Sequence, residues 1–409
     1  MIEFIKNELK NLKSPLYLNS IYISLSSVIV SLAGFIFWNL ASRLYTSSDV
    51  GVASALVSAL NLIISISLLG LNFSLIRFYP EYKERAISSA VLIVPGVAVI
   101  MSLLYTIIVS TTSDNLKILL HPMFLVAFIF FSIAGSLYYL LGTSLIATRR
   151  GRNYFIQSLF FSGRFVFLFL LGFLGVLGIF SSFGMGLALG TIYAGFILRD
   201  YLSFKIDREY LSASFKLSLA NYLANILNML PVNVMPTIVL SVLGKSQAAY
   251  YYIAFMIGNI LLLVPNSINM SFFVEGSHGA DVKTILKKAL FASYLYLVLA
   301  VGFVWFFGGF LLRLFGEEYV VAFDLLRIVA LSGFFAVIIN FYVTVMNIKK
   351  NAKGVVVVNL LRAIIFLGLS YPLMIRFGIV GVGYAWIIAY GVLVPIIFLL
   401  AKNKISSLR

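Results

Sequence analysis

Arg149-Arg150-Gly151-Arg152-Asn153-Tyr154-Phe155-Ile156 opens the stretch that decides the fold, because the second half of the chain repeats its pattern. From that basic turn the chain enters an apolar run holding one arginine, Arg164, and reaches Ser182-Phe183-Gly184-Met185-Gly186. Later, Lys349-Lys350 and Lys353 lead into an apolar run holding Arg362, which Gly381-Val382-Gly383 follows. Arg362 comes 198 residues after Arg164, and the two basic pairs are 200 apart. Asn61 and Asn259 also stand 198 apart, while Asn72 with Ser74 echoes as Asn269 with Ser271 at 197. A near-constant offset in a 409-residue chain means two copies of one unit, each about half the chain.

Hydrophobic residues make up 62% of the chain and charged residues 11%, which excludes an ordinary soluble domain. The apolar runs are continuous rather than alternating, so they read as helices and not as strands of a β-barrel. The chain has no cysteine, which removes disulfides, thiol catalysis and cysteine-based metal sites. His121 and His278 fall at separate span ends, so neither a metal nor another cofactor is expected.

Twelve spans are predicted, at 18–42, 50–75, 86–110, 121–146, 156–178, 182–199, 214–240, 248–274, 288–312, 323–346, 355–375 and 379–401. The two termini and the even-numbered loops hold 22 of the 30 Lys and Arg residues, and the odd-numbered loops hold five. This asymmetry places both termini in the cytoplasm, with the chain crossing a plasma membrane many times. It also accounts for the net charge of +16 as topology, so no nucleic-acid partner is expected. The expected fold class is an all-α polytopic membrane protein, with twelve helices in two six-helix lobes. Six spans per copy give both copies one orientation, which is a parallel internal repeat. The expected organisation is an interfacial amphipathic segment over 1–17, an N-terminal lobe over 18–200, a cytoplasmic linker over 201–213 and a C-terminal lobe over 214–409.

Charged groups inside spans are costly and usually face a cavity or a partner. Arg164 and Arg362 are the candidate anion-binding pair. The competing account buries each against helix carbonyls, or lets Arg362 snorkel towards the basic turn at Lys353. On the first account Arg164→Ala abolishes transport without unfolding the chain. Arg327 follows Asp324 by three positions, and an ion pair is expected there. All fourteen Asp and Glu lie in loops or at the ends of predicted spans. The interior field is therefore positive and suits an anionic ligand rather than a cationic drug. Ser24 and Ser27 belong to a stripe with Ser20 and Ser31 at helical spacing on the first span. Asn221, Asn225 and Asn228 form a matching stripe on the seventh, which Pro231 and Pro236 interrupt. These stripes are read as candidate cavity walls, with close helix packing as the alternative for the serines. Asn61 and Asn259 offer hydroxyl-binding amides or interhelical hydrogen bonds.

Wording along the chain carries a family resemblance. Arg43-Leu44, Asp49-Val50-Gly51, Leu69-Gly70-Leu71, Ser74-Leu75-Ile76-Arg77-Phe78 and Pro80-Glu81 resemble the first hairpin of polysaccharide and O-antigen (Wzx-type) flippases. These belong to the multidrug/oligosaccharidyl-lipid/polysaccharide (MOP) exporter superfamily. Phe315-Gly316-Glu317-Glu318-Tyr319 through Leu325-Leu326-Arg327-Ile328 is similar to the start of that family's tenth span, and Tyr250 to Glu275 to its eighth. Arg376-Phe377-Gly378-Ile379-Val380-Gly381-Val382-Gly383 looks like the turn between its last two spans. The resemblance implies a non-enzymatic exporter that turns lipid-linked sugars across the membrane by alternating access. It implies a basic cavity lined by the first and seventh spans, so Arg164 and Arg362 become pyrophosphate or acidic-sugar contacts. The stripes become the sugar-facing wall. The implied partners are a lipid-linked oligosaccharide and membrane lipids, with glycan-assembly enzymes as candidate protein partners and a working monomer. A multidrug exporter is the alternative within transport. A membrane glycosyltransferase is disfavoured by external loops too short for a catalytic site. A purely structural scaffold is hard to reconcile with polar residues kept inside both lobes.

Overall fold

The computed structural model describes residues 15–203 and 205–406, and it is all-helical over them. The interfacial segment expected over 1–17 lies, up to residue 14, outside the described residues. Among the described residues eleven helices are long and apolar enough to cross a membrane, and they number twelve if a pair of shorter helices bent by 45° is counted as one span.

The chain divides into two compact units, residues 1–222 and 223–409. The first holds α1 (Pro15–Leu44), α2 (Ser47–Ser67), α3 (Leu71–Tyr82), α4 (Glu84–Thr112), α5 (Pro122–Ala147), α6 (Gly151–Ser162), α7 (Val166–Leu170) and α8 (Val176–Ile197). Then α9 (Arg208–Leu243) begins in the first unit and ends in the second. The second unit continues with α10 (Lys245–Ile260), α11 (Leu263–Ser277), α12 (Val282–Arg313), α13 (Phe323–Ile348), α14 (Ala352–Phe377) and α15 (Ile379–Ser406).

The divide falls inside α9 because its first turns are fastened to the N-terminal unit. Tyr210 is fully buried, its hydroxyl 3.0 Å from that of Ser74 and its ring against Phe78 and Tyr82. The Tyr222 hydroxyl donates to the Ile66 carbonyl at 2.8 Å. The stretch expected as a linker is also tied down at the start of α4. Ser88 donates to the Tyr201 carbonyl and accepts from the Ser203 amide, Ser89 accepts from the Asp207 amide, and Arg85 pairs with Asp207 at 2.9 Å.

In the N-terminal unit α2 is the buried centre, packed by α4, α5 and α8. Its buried residues include the small Gly51, Ala53, Ser54, Ala55, Ser58 and Ala59, which let neighbouring backbones close in where water cannot drive association. In the C-terminal unit α13 packs on α12 and α15, and α14 on α15, while α11, α12 and α13 meet around Phe272, Leu297, Val337 and Phe341.

The internal repeat is visible in where helices break. The second span of the first unit breaks at Leu68–Gly70, where Leu69 and Gly70 have positive φ. The second span of the other unit breaks between α10 and α11, where the sequence led us to expect one continuous helix over 248–274. Pro265, in the first turn of α11, supplies the reason: it has no N–H to give and its ring clashes with the preceding turn. The boundary between spans 5 and 6 also differs from expectation. The fifth span ends at Leu170 and the sixth starts at Val176, several residues earlier than read from hydropathy. The turn is Gly172-Phe173-Leu174-Gly175, as apolar as the helices it joins, and Gly175 makes it possible at φ 53. Gly378, at φ 60, does the same between the last two spans.

Candidate functional site

The C-terminal unit places its intramembrane arginine in a polar cluster. Arg362 lies ten residues into the 26-residue α14 and is 5% exposed. One guanidinium nitrogen donates to the Tyr390 hydroxyl at 3.1 Å, and the group lies 5.5 Å from that ring. The other donates to the Asn228 side-chain oxygen and reaches the Asn228 carbonyl at 3.4 Å. One turn earlier Asn359 donates its amide to the Ala224 carbonyl at 3.1 Å. Two adjacent turns of α14 are thus tied to α9 by polar side chains. Among the described residues no carboxylate lies within ion-pair distance of Arg362, and its charge is held by neutral dipoles alone. A buried cation solvated only by dipoles retains a strong affinity for an anion, because the desolvation cost has been met while the Coulomb gain has not.

The N-terminal unit treats its arginine differently. Arg164 sits in a 3-10 break, Gly163–Phe165, between α6 and α7, and is 3% exposed. Three rings surround the guanidinium, Phe161 at 4.0 Å, Phe183 at 5.2 Å and Phe37 at 5.4 Å. One guanidinium nitrogen donates to the Phe161 carbonyl at 3.0 Å. Neighbouring helices are thinned to admit it: a Cβ on Gly186 would come within 2.8 Å of the Arg164 Cβ, and one on Gly34 within 3.3 Å of its guanidinium. The ring faces stabilise the cation through their quadrupoles, an effect that grows when water is excluded.

The stripe residues fall as follows. Ser20, Ser24, Ser27 and Ser31 are all exposed on α1, and Ser27 and Ser31 donate to carbonyls one turn back. Leu18, Ile21, Leu25, Val28, Leu32 and Ile36 are also exposed, on a separate face of the same helix. The exposed surface of α1 is therefore divided into a hydroxyl side and a hydrocarbon side. Asn221 and Asn228 are exposed and Asn225 is half-buried; Asn221 belongs to the N-terminal unit and the other two to the C-terminal unit. α9 is a single helix through Pro231 and Pro236. Asn61 is half-buried, its backbone carbonyl accepting from Ser65, and Asn259 donates its side-chain amide to the Phe255 carbonyl of its own helix. Arg327 pairs with Asp324 at 3.4 Å and lies over the Phe323 and Trp305 rings.

The structure thus joins Arg362 to Asn228, which the sequence had placed in separate roles, and adds Tyr390 and Asn359 to them. Asn359 was within reach of sequence reasoning, being a second polar residue three positions before Arg362 on one helix face. Tyr390 carried no signal, since a tyrosine in an apolar helix reads as one more hydrophobic residue.

No family model matches the chain, and no curated protein matches it in sequence. Solved structures do share its fold. The lipid II flippase MurJ in an inward closed conformation superposes with a TM-score of 0.77 at 16% identity, over 93% of this chain and 87% of that one. An inward-facing MATE family multidrug resistance transporter of the MOP superfamily gives 0.69 at 15%, over 95% and 98%. A MOP superfamily transporter from Pyrococcus furiosus, described by a reversed polarity of its binding pocket, gives 0.60 at 15%, over 96% and 95%. The chain thus has the fold of MOP superfamily transporters, and these neighbours are transporters rather than enzymes.

Proposed function

We propose that the chain is a non-enzymatic flippase that carries a polyprenyl-(pyro)phosphate-linked oligosaccharide from the cytoplasmic to the outer leaflet of the plasma membrane by alternating access. Both termini lie in the cytoplasm on this reading. The observation that carries it is Arg362, buried without a carboxylate and held by the exchangeable dipoles of Asn228 and Tyr390. A phosphate entering this cluster would replace neutral acceptors with an anionic one, adding the attraction of two full charges to hydrogen bonds whose donor is already ionised. Arg164 adds a second buried positive charge. Asn221, Asn225 and the Ser24–Ser27 stripe offer hydroxyl and amide groups to sugars, and Asn61 and Asn259 stand as further candidates.

A multidrug exporter is the second reading, supported by the likeness to the MATE family transporter. Against it stands the sequence itself, whose acids all lie in predicted loops or at span ends. A buried carboxylate is what a cationic substrate would need. The deciding experiment is flipping of a pyrophosphate-linked lipid oligosaccharide in proteoliposomes, with dye efflux measured beside it. Flipping by the intact chain and its loss in Arg362→Ala support the flippase. Dye efflux without flipping moves the assignment to drug export.

A further inference from the structure

The N-terminal unit carries a groove that the transport reading leaves unused. It has a volume of about 410 Å³ and lies along the seam of α6, α7 and α8. Its walls are Ile156, Leu159, Phe160, Val166, Phe167 and Leu189, and Gly163 lies among them. No lining residue has a polar side chain, so nothing in the groove could recognise a sugar, a peptide or an ion. From Ile156 through the 3-10 turn at Gly163–Phe165 to Phe167 the chain spans roughly 16 Å at about 1.5 Å per residue. That is about half of a hydrocarbon core of some 30 Å, the depth of one leaflet.

One end of the groove is charged. Arg152 precedes Ile156 by four positions and so lies on the same helix face one turn away. It is exposed, and among the described residues no carboxylate is within ion-pair distance of it. Its neighbour Arg150 is already committed, donating to the Ile197 carbonyl and the Tyr201 hydroxyl. Across the seam Tyr193 lies close enough to Arg152 to interact with it electrostatically, and its ring packs on Phe160 at 5.3 Å. A hydrocarbon slot one leaflet long with a guanidinium and a phenol at one mouth has the polarity of an anionic amphiphile.

We propose that this seam binds one anionic phospholipid of the surrounding bilayer, with an acyl chain along Ile156–Phe167 and its phosphate on Arg152. The inference does not depend on what the protein transports. Gly163 offers a probe, since it lines the groove and a Cβ there meets nothing within 4 Å.

The test is native mass spectrometry of the full chain in detergent with phosphatidylglycerol or phosphatidylcholine added at equal concentration. The intact chain should retain one phosphatidylglycerol about tenfold better than phosphatidylcholine. Arg152→Gln should erase that preference, and Gly163→Leu should reduce retention of both lipids, with circular dichroism reporting that each variant keeps its helices. If Gly163→Leu fails to fold, Arg152→Gln alone decides. Equal retention of the two lipids by the intact chain, or an undiminished preference in Arg152→Gln, would overturn the site. Stronger retention of undecaprenyl phosphate than of phosphatidylglycerol would also overturn it, handing the groove to a transported lipid instead.

Discussion

Arg164 and Arg362 hold matching places in the repeat and lead different lives. The position 198 residues before Asn359 is Phe161, so a polar neighbour of one arginine is replaced by an aromatic ring beside the other. Phe161 is the nearest ring of the Arg164 cage at 4.0 Å, whereas Asn359 helps to tie α14 to α9 beside Arg362. Both arginines are buried charges, and the packing around each differs. The Asn228 amide and the Tyr390 hydroxyl are side-chain groups that can rotate away and be replaced by a phosphate oxygen. Three ring faces wedged between helices cannot be exchanged in that way. On the proposed reading this comparison assigns the ligand contact to Arg362 and leaves Arg164 field and packing.

The largest effect should therefore fall on Arg362. Arg362→Ala removes a charge-assisted contact of about 2 kcal/mol, so flipping in proteoliposomes should drop roughly 30-fold while the melting temperature holds. Arg362→Lys keeps the charge but loses the two-armed reach to Tyr390 and Asn228, and should recover only part of the loss. Arg164→Ala should behave in reverse, with a clear fall in melting temperature and a smaller fall in flipping. A variant at Arg164 that stays fully stable yet flips worse than Arg362→Ala would break the comparison and give Arg164 the ligand contact expected from the sequence.

Next in size are the neutral partners. Tyr390→Phe leaves the ring and removes only the oxygen that accepts from Arg362. A hydrogen bond with a charged donor contributes about 1.5 kcal/mol at the low end, so flipping should change by roughly 12-fold, read as a transport rate at saturating lipid. On the other side, Phe183→Leu opens the Arg164 cage and gives up a cation–π contact of about 1–2 kcal/mol. Its readout is thermal stability, with flipping within twofold of the intact chain. Equal effects of the two substitutions on flipping would mean that the two settings are functionally alike.

The twelve spans, the two-unit repeat and both arginines were legible because they rest on hydropathy, spacing and rare charge, which are properties of the chain itself. The Leu170–Val176 turn was not, because Gly172-Phe173-Leu174-Gly175 is as apolar as a span and only backbone torsion marks it. The break before α11 had a signal in Pro265, outweighed by the apolar run around it. The Arg362–Asn228 contact joins residues 134 apart, and no local pattern encodes such a pairing. The aromatic cage was hidden for a plainer reason. In a chain that is 15% aromatic, three particular phenylalanines carry no mark that they face a cation rather than lipid.

The smallest effect concerns how the two units begin their third span. In the C-terminal unit Asp281 caps α12, accepting from the Lys283 and Thr284 amides. The matching residue 198 positions earlier is Lys83, at φ 46, which has no acceptor to offer, and α4 is steadied instead by the contacts of Arg85, Ser88 and Ser89. The Thr284 hydroxyl, and after it the Lys283 amide, hold the Asp281 carboxyl below the usual carboxylate range. A depressed carboxyl binds its proton more weakly in the folded chain than in the unfolded one. Its stabilisation is then complete above the ordinary value near 4 and is lost as pH falls through the lowered one. Asp281→Asn keeps a capping oxygen without a titrating charge. Near pH 7 the intact chain should melt slightly higher than the variant, since the carboxylate also favours the positive end of α12. As pH falls below the ordinary carboxylate value and through the lowered one, that gap should close as Asp281 takes up its proton. A gap that persists at acid pH would mean that the cap does not depend on the charge, and the two starts would differ in geometry alone.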